Sequence, residues 1–332
     1  MCRKTRTIAI DHGNRQIKTI NHVFPASYIE SSNVTAMGNS TMKYNGKEYT
    51  IVDKLQPQLD NKTVSERYFI LTLFAIGKEL EHESATNRMA LLPGMLIDVR
   101  LLIGLPIGHF KENGSAYVKY FKRSEPVTFE IDGKKHTITI SDVKYYPQGI
   151  AAVYSQSSEV CDSKRVTIVD IGGQTVDYAR MVDLVPNPEM SGHFDQGVNI
   201  LFDRINLYAR SKVTKNIPID IIEGVLLKDP QTLDESSTKR IKIISEATRQ
   251  HANALIESLS HIGVDFENDH VVFMGGGSAL LKDYVTELGI VERPLWLCDV
   301  KANVKGYKVL YNTQARRKLV ESQKLNLAGG AG

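Results

Sequence analysis

A chain of 332 residues, 42% of them apolar and 24% charged, has enough material for two domains, each with its own core. Lys and Arg number 41 against 38 Asp and Glu, and the resulting net charge of +3 is too mild for the concentrated basic face that direct nucleic-acid binding requires. Cys2, Cys161 and Cys298 are odd in number and widely spaced, so neither a disulfide framework nor a zinc site is indicated, and no stretch approaches the roughly 18 consecutive apolar residues of a membrane span. A cytoplasmic protein with no membrane partner is expected.

The basic start, Met1 to Arg6, leads into the β-branched run Thr7-Ile8-Ala9-Ile10, a buried strand ending on Asp11, with Gly13 and Asn14 in the turn beyond it. Gln16 to Ile20 forms a second strand on which Lys18 alternates outward from Ile17. Asn45-Gly46, between alternating residues, marks a hairpin. Thr63 with Glu66 three positions on has the spacing of a capping box, opening a buried helix over Tyr68 to Leu80. Arg100 to Pro106 is a strand running into a proline, and Asp132-Gly133 turns another hairpin within Thr128 to Ile138. Asp142 to Ala152 passes from strand to helix with Gln148 at the junction.

A second copy of the opening motif follows at Val166-Thr167-Ile168-Val169-Asp170-Ile171-Gly172-Gly173-Gln174-Thr175-Val176-Asp177. In both copies a buried strand delivers an aspartate to its exit and a glycine two positions later lets the backbone turn and offer its N–H groups to an anion. Such a loop suits a phosphate, and two such aspartates suit a hydrated magnesium ion, which binds through one or two carboxylates plus waters and substrate phosphates. Two copies imply two related halves.

Beyond the second copy, apolar residues at 198, 201, 202, 205 and 208 trace a helical stripe, and Thr238 to Ile262 traces a longer one that Gly263 is placed to end. Asp269 to Met274 is a strand entering Gly275-Gly276-Gly277-Ser278, where the backbone can lie flat against a ligand before a helix leaves. Glu223, Arg249 and the run Ala315 to Leu319 read as solvated faces, His12 as close to the first loop without a role, and Leu325 to Gly332 as a disordered tail.

The order of these motifs, from about residue 7 to about residue 312, resembles the ATPase superfamily of actin, sugar kinases and heat-shock chaperones. That resemblance implies an α/β, actin-like (ribonuclease H-like) fold: two related domains around a nucleotide cleft that holds ATP, or GTP, with Mg2+. It assigns Asp11, Gly13, Asn14 and Lys18 to the first phosphate loop, Asp170, Gly172, Gly173, Gln174 and Thr175 to the second, and Gly275, Gly276, Gly277 and Ser278 to the adenosine loop. Asp11 and Asp170 would hold the metal, mostly through water, and Gln148 would orient the attacking water. The implied boundaries are residues 1–160 for the first domain, with an inserted subdomain at about 30–90 and completion by 310–332, and residues 161–309 for the second.

Within the superfamily, Leu105-Pro106-Ile107-Gly108, Val169 to Asp177 and Ala302-Asn303-Val304-Lys305-Gly306-Tyr307 resemble the plasmid-segregation filament proteins of the ParM and Alp group. Departures are Gln148, where some members have glutamate, and the segment from about 30 to 60, which matches no part of the group. The implied activity is ATP hydrolysis coupled to head-to-tail self-assembly, with partners limited to other copies of the chain and a DNA-binding adaptor protein. A small-molecule, sugar-type kinase of the same superfamily is the alternative.

Overall fold

The computed structural model describes residues 4–30, 40–54, 62–86, 95–106, 110–155, 160, 163–183, 185–233 and 238–329. Cys2, Cys161 and the Ile107-Gly108 pair lie outside the described residues, as do parts of the 30–90 segment. The chain divides into two compact units, one made of Met1–Ser155 with Lys301–Gly332 and the other of Gln156–Val300.

The first unit is built on a nine-stranded sheet. The apolar run of β1 (Lys4–His12), third from one edge, is hairpinned to β2 (Gln16–Thr19), which pairs with β3 (Val23–Pro25). On its other side β1 pairs in parallel with β7 (Leu96–Leu105), and β7 in parallel with β9 (Lys134–Pro147). β8 (Arg123–Ile131), β5 (Thr41–Tyr44), β6 (Lys47–Ile51) and β4 (Tyr28–Glu30) extend the sheet in that spatial order. Both predicted hairpins form, with Asn45 and Gly46 at φ 51° and 74° and Asp132 and Gly133 at φ 47° and 82°, the paired positive φ that two-residue turns need.

Central strands buried on both faces read as continuous apolar runs, and β1 shows why. Ile8 and Ile10 join a core with α1 (Arg67–Thr86), while Ala9 between them faces a separate cluster of Leu102, Tyr146, Ala151, Val304 and Tyr307. That second cluster brings together α3 (Ile150–Tyr154) and α8 (Ala302–Gly329); α2 (Phe110–Phe121) packs on β9. The small side chain of Ala9 suits the α8 side, and the larger isoleucines the α1 side.

Two expectations are corrected here. The helix α1 starts at Arg67, with Ile70 N–H donating to Glu66 C=O, so Glu66 stands at the cap and Thr63 lies a turn ahead of the helix instead of capping it. Of the tail expected to be disordered, Leu325 to Gly329 is helical, because Gln323 to Ala328 contains no glycine or proline to stop α8, and residues 330–332 lie outside the described residues.

The second unit holds a five-stranded sheet flanked by helices. β10 (Arg165–Ile171) hairpins to β11 (Val176–Val182), which pairs with β12 (Val185–Phe194). On the other side β10 pairs in parallel with β13 (His270–Met274) and β13 with β14 (Pro294–Leu297). The sequence β12-β11-β10-β13-β14 repeats the order and directions of β3-β2-β1-β7-β9 strand for strand. The two copied motifs therefore occupy the same place in two copies of one sheet. Around it lie α4 (Val198–Val213), α5 (Ile219–Leu226), α6 (Thr238–His261) and α7 (Ser278–Glu287). Leu201, Ile205, Ile244, Leu255 and Leu259 supply the core stripes, and Gly263 at φ 85° follows α6 as expected. Among the described residues no helix is long and apolar enough to cross a membrane.

Candidate functional site

In the first unit, the chain leaves the sheet after Asp11 and His12 and returns at Gln16. The turn is tight: a Cβ on Gly13 would lie 2.6 Å from the Gln16 carbonyl oxygen. The β1–β2 register sets Asp11 directly opposite Lys18, and their side chains meet at 3.6 Å, Asp11 nearly buried and Lys18 mostly so. From the far end of β9, the Gln148 Nε2 donates to Asp11 Oδ1 at 2.7 Å. Three residues chosen from sequence thus converge, drawn from β1, β2 and the β9–α3 junction. Each Asp11 oxygen faces a donor, Oδ1 the Gln148 amide and Oδ2 the Lys18 ammonium.

Asn14 sits beside this group, and Tyr68 donates to its Oδ1 at 3.2 Å. Lys62 Nζ donates to the His12 carbonyl and lies 5.2 Å above the Tyr68 ring. Sequence reasoning passed over Tyr68 and Lys62 because nothing near residue 65 signals a loop fifty positions earlier. His12 is a core residue: 2% exposed, Nε2 2.8 Å from Thr72 Oγ1, stacked on Phe121 at 5.0 Å. Burial, with the Lys62 charge adding to it, pushes its pKa down to about 3, so it stays neutral.

In the second unit the corresponding loop is pinned to the start of α4. Gly172 N–H donates to Thr175 C=O at 2.9 Å, Val198 N–H to Gly172 C=O at 3.0 Å, and Asn199 N–H to Gly173 C=O at 2.8 Å. Gly197 N–H donates to Gln174 C=O at 2.9 Å, and a Cβ on Gly197 would press on both Gln174 and Gly172, so Gly197 belongs to the loop although its sequence gave no sign of it. Where the first unit sets Lys18 opposite its aspartate, the second sets Asp177 opposite Asp170. Like charges at directly opposed positions destabilise a sheet, and a divalent cation would relieve that repulsion. Among the described residues no group of three or more His, Cys, Asp or Glu could hold a metal ion; Asp11 and Asp170, each at the exit of its own strand, are single carboxylates of the kind that holds Mg2+ with waters and phosphates as the other ligands.

The glycine run after β13 is shaped by the same loop. Gly275, at φ 86°, packs so closely on Asp170 and the Ile171 carbonyl that any Cβ would collide, and a Cβ on Gly277 would collide with Ile171 and lie 2.7 Å from Val198. Gly276 is exposed, with nothing within 4 Å of where its Cβ would stand. It leaves open space on the outer side of the run. Ser278 is fully buried and its hydroxyl donates to the Gly275 carbonyl at 2.8 Å, so it holds the turn from inside. Glu223 stands half-buried on α5, and Arg249 is exposed on α6, paired with Glu246 and Glu287.

The family model for the N-terminal domain of actin-like proteins matches residues 9–150, and that for the C-terminal domain of archaeal MreB-like actin homologues matches residues 168–287. No curated protein matches the sequence. Among solved structures, the apo ParM protein of pSK41 superposes with a TM-score of 0.70 at 16% identity, over 95% of this chain and 99% of that one. An archaeal actin homologue, Ta0583, in complex with ADP, gives 0.68 at 17% over 91% and 97%. A 15-stranded ParM filament from Clostridium botulinum gives 0.68 at 19% over 94% and 99%. With an actin-type domain matched in each unit and the sheet duplicated between them, the chain belongs to the actin-like proteins and has the two-domain fold seen in ParM.

Proposed function

We propose that this chain is a cytoplasmic ATPase whose nucleotide state governs its head-to-tail assembly into filaments, and that the filaments position plasmid or phage DNA through an adaptor protein. The observation that carries the hydrolytic part is the convergence of Lys18 and Gln148 on Asp11. Phosphoryl transfer to water needs positioning and charge neutralisation more than covalent chemistry. Gln148 donates its amide N–H to Asp11, which fixes the side chain and leaves the amide oxygen to accept a hydrogen bond from the attacking water and so orient it. Lys18 sets a positive charge beside the first loop, and the loop N–H groups of Gly13 and Asn14 in the first unit, and of Gly173, Gln174 and Thr175 in the second, would take phosphate oxygens, the Gly172 N–H being used within its loop by the Thr175 carbonyl. Asp11 in the first unit and Asp170 in the second are the carboxylates that would hold Mg2+ through water, and its charge would neutralise that of the phosphates. Gly275 to Ser278 would receive the adenosine, against the open side of Gly276.

Assembly is supported by the filament structures to which the chain is similar, and nucleotide use by the ADP complex of a protein with the same fold. A heterologous contact that does not close on itself makes a filament from one kind of subunit. A net charge of +3 fits recruitment of DNA through another protein. Purified protein given ATP and Mg2+ should scatter light steeply above a critical concentration and release phosphate. A chain that stays small, and turns over ATP only with an added hydroxyl acceptor, is a kinase instead.

A further inference from the structure

We propose that Asn303 is a positioning residue for Gln148: its side-chain oxygen holds the backbone turn that sends the Gln148 amide to Asp11. The inference rests on the hydrolytic reading of Gln148 given above.

Only two residues, Gln148 and Gly149, separate the end of β9 from the start of α3. Gly149 has φ 74° and ψ −61°, and Ile150 N–H donates to the Gln148 carbonyl at 2.8 Å. These are the marks of a γ-turn with positive φ, a rare and strained conformation that persists only where its surroundings impose it. Without it, a strand ending at Pro147 would carry the next side chain along the sheet and away from β1.

Two contacts outside the turn impose it. Gln148 N–H donates to the Leu105 carbonyl at 2.8 Å, which ties the residue to the end of β7. Gly149 N–H donates to Asn303 Oδ1 at 2.9 Å, across 154 positions of sequence, with Asn303 only 7% exposed. A γ-turn leaves its central N–H pointing away from its own ring, and a buried N–H needs a partner. Asn303 supplies a neutral acceptor on a side chain short enough to be rigid.

Asn303 is itself fixed. Three residues further along α8, Gly306 lies so close to the Ala151 carbonyl that a Cβ there would collide, so the first turn of α8 is pressed onto α3. On the other side of Gln148, Gly104 leaves the space that the Gln148 side chain and Tyr307 fill; a Cβ at Gly104 would lie 2.8 Å from Gln148 Cγ. The start of α8 thus sets the aim of Gln148 from behind while touching neither Asp11 nor Lys18 in any hydrogen bond or ion pair seen among the described residues.

The test compares Asn303→Ala and Asn303→Asp, alone and with Gln148→Ala, by single-turnover ATP hydrolysis, by ADP affinity and by amide exchange at Gly149 in the nucleotide-free protein. Asn303→Ala should speed Gly149 exchange and lower the hydrolysis rate by about tenfold or more, as small misplacements of a positioned group do, with ADP affinity unchanged within about twofold. It should cost nothing further in the Gln148→Ala background. Asn303→Asp keeps the acceptor and should restore exchange protection and most of the rate. Equal losses from Asn303→Ala with and without Gln148, or unchanged Gly149 exchange, would overturn the proposal. If Gln148→Ala alone leaves hydrolysis untouched, the hydrolytic reading fails, and the exchange measurement still decides whether Asn303 sets the turn.

Discussion

Gln148 donates to Asp11 at 2.7 Å across 137 positions of sequence. The contact joins the exit of β1 to the exit of β9, two strands separated in the sheet only by β7. It orients a polar side chain whose free end is an acceptor, beside a carboxylate whose other oxygen faces Lys18.

Removing that side chain should slow chemistry and spare binding. Gln148→Ala is expected to lower the single-turnover rate of ATP hydrolysis by about 10²-fold while ADP affinity stays within about threefold, since positioning acts on the transition state. Filaments formed by the variant should outlive those of the wild type. A variant with wild-type turnover would remove Gln148 from the mechanism.

Lys18→Met leaves the nearly buried Asp11 with Gln148 alone. Charge-assisted hydrogen bonds are worth roughly 1.5–3 kcal/mol, so nucleotide affinity should fall about tenfold or more. Calorimetric titration with ADP measures it, and a change below twofold would place Lys18 outside the phosphate site.

The three glycines after β13 should separate stability from binding. Gly275→Ala meets Asp170 and a positive φ and should destabilise the protein by about 1–3 kcal/mol. Gly276→Ala meets nothing and should leave the melting temperature within about 1 °C, surface changes of this kind falling inside ±0.5 kcal/mol. If adenosine lies against this loop, the same Gly276→Ala change should still weaken nucleotide binding.

Stability should fall as pH drops below 6.5. His12 and His251 are buried, with pKa values pushed down to about 3 and about 4, chiefly by burial and further by Lys62 and Arg204 respectively. Above pH 6.5 both are neutral folded and unfolded, and neither contributes a slope. Between 6.5 and 4 the unfolded chain takes up protons that the folded chain refuses, so each histidine should cost up to about 1.4 kcal/mol per pH unit. Urea midpoints at pH 7.5 and 5.5 test this, and His251→Gln should shrink the difference. An unchanged difference in that variant would mean His251 is protonated in the fold.

Gly306→Ala should destabilise the first unit by about 1–3 kcal/mol, the usual cost of overpacking. The atoms in its way are the Ala151 carbonyl and the Ala152 nitrogen, backbone groups of a short helix that cannot swing aside. Chemical denaturation followed at the lone tryptophan, Trp296 on β14, reports the second unit. Circular dichroism would therefore be needed alongside it to see the first unit fail.

Much of this was legible in the residues because the signals are local. A β-branched run ending in Asp-x-Gly is a strand and a turn wherever it occurs, and finding it twice announced a duplicated sheet. The Asn-Gly and Asp-Gly pairs fixed two hairpins, and the periodicity of Thr238 to Ile262 fixed a helix. Where local signals conflicted, the reading failed: Thr63 and Glu66 have capping-box spacing, but packing of Tyr68 to Gly77 against the sheet starts the helix at Arg67.

Sequence alone determined that two buried strands each end on an aspartate followed by a glycine turn, since backbone turns and strand burial depend on neighbours in the chain. The tertiary structure decided what surrounds them. Register put Lys18 opposite Asp11 but Asp177 opposite Asp170, and helix packing brought Asn303 to Gly149 and Tyr68 to Asn14. Contacts across more than fifty residues leave no local pattern, because they depend on how whole elements stack, and that is settled only when the cores close.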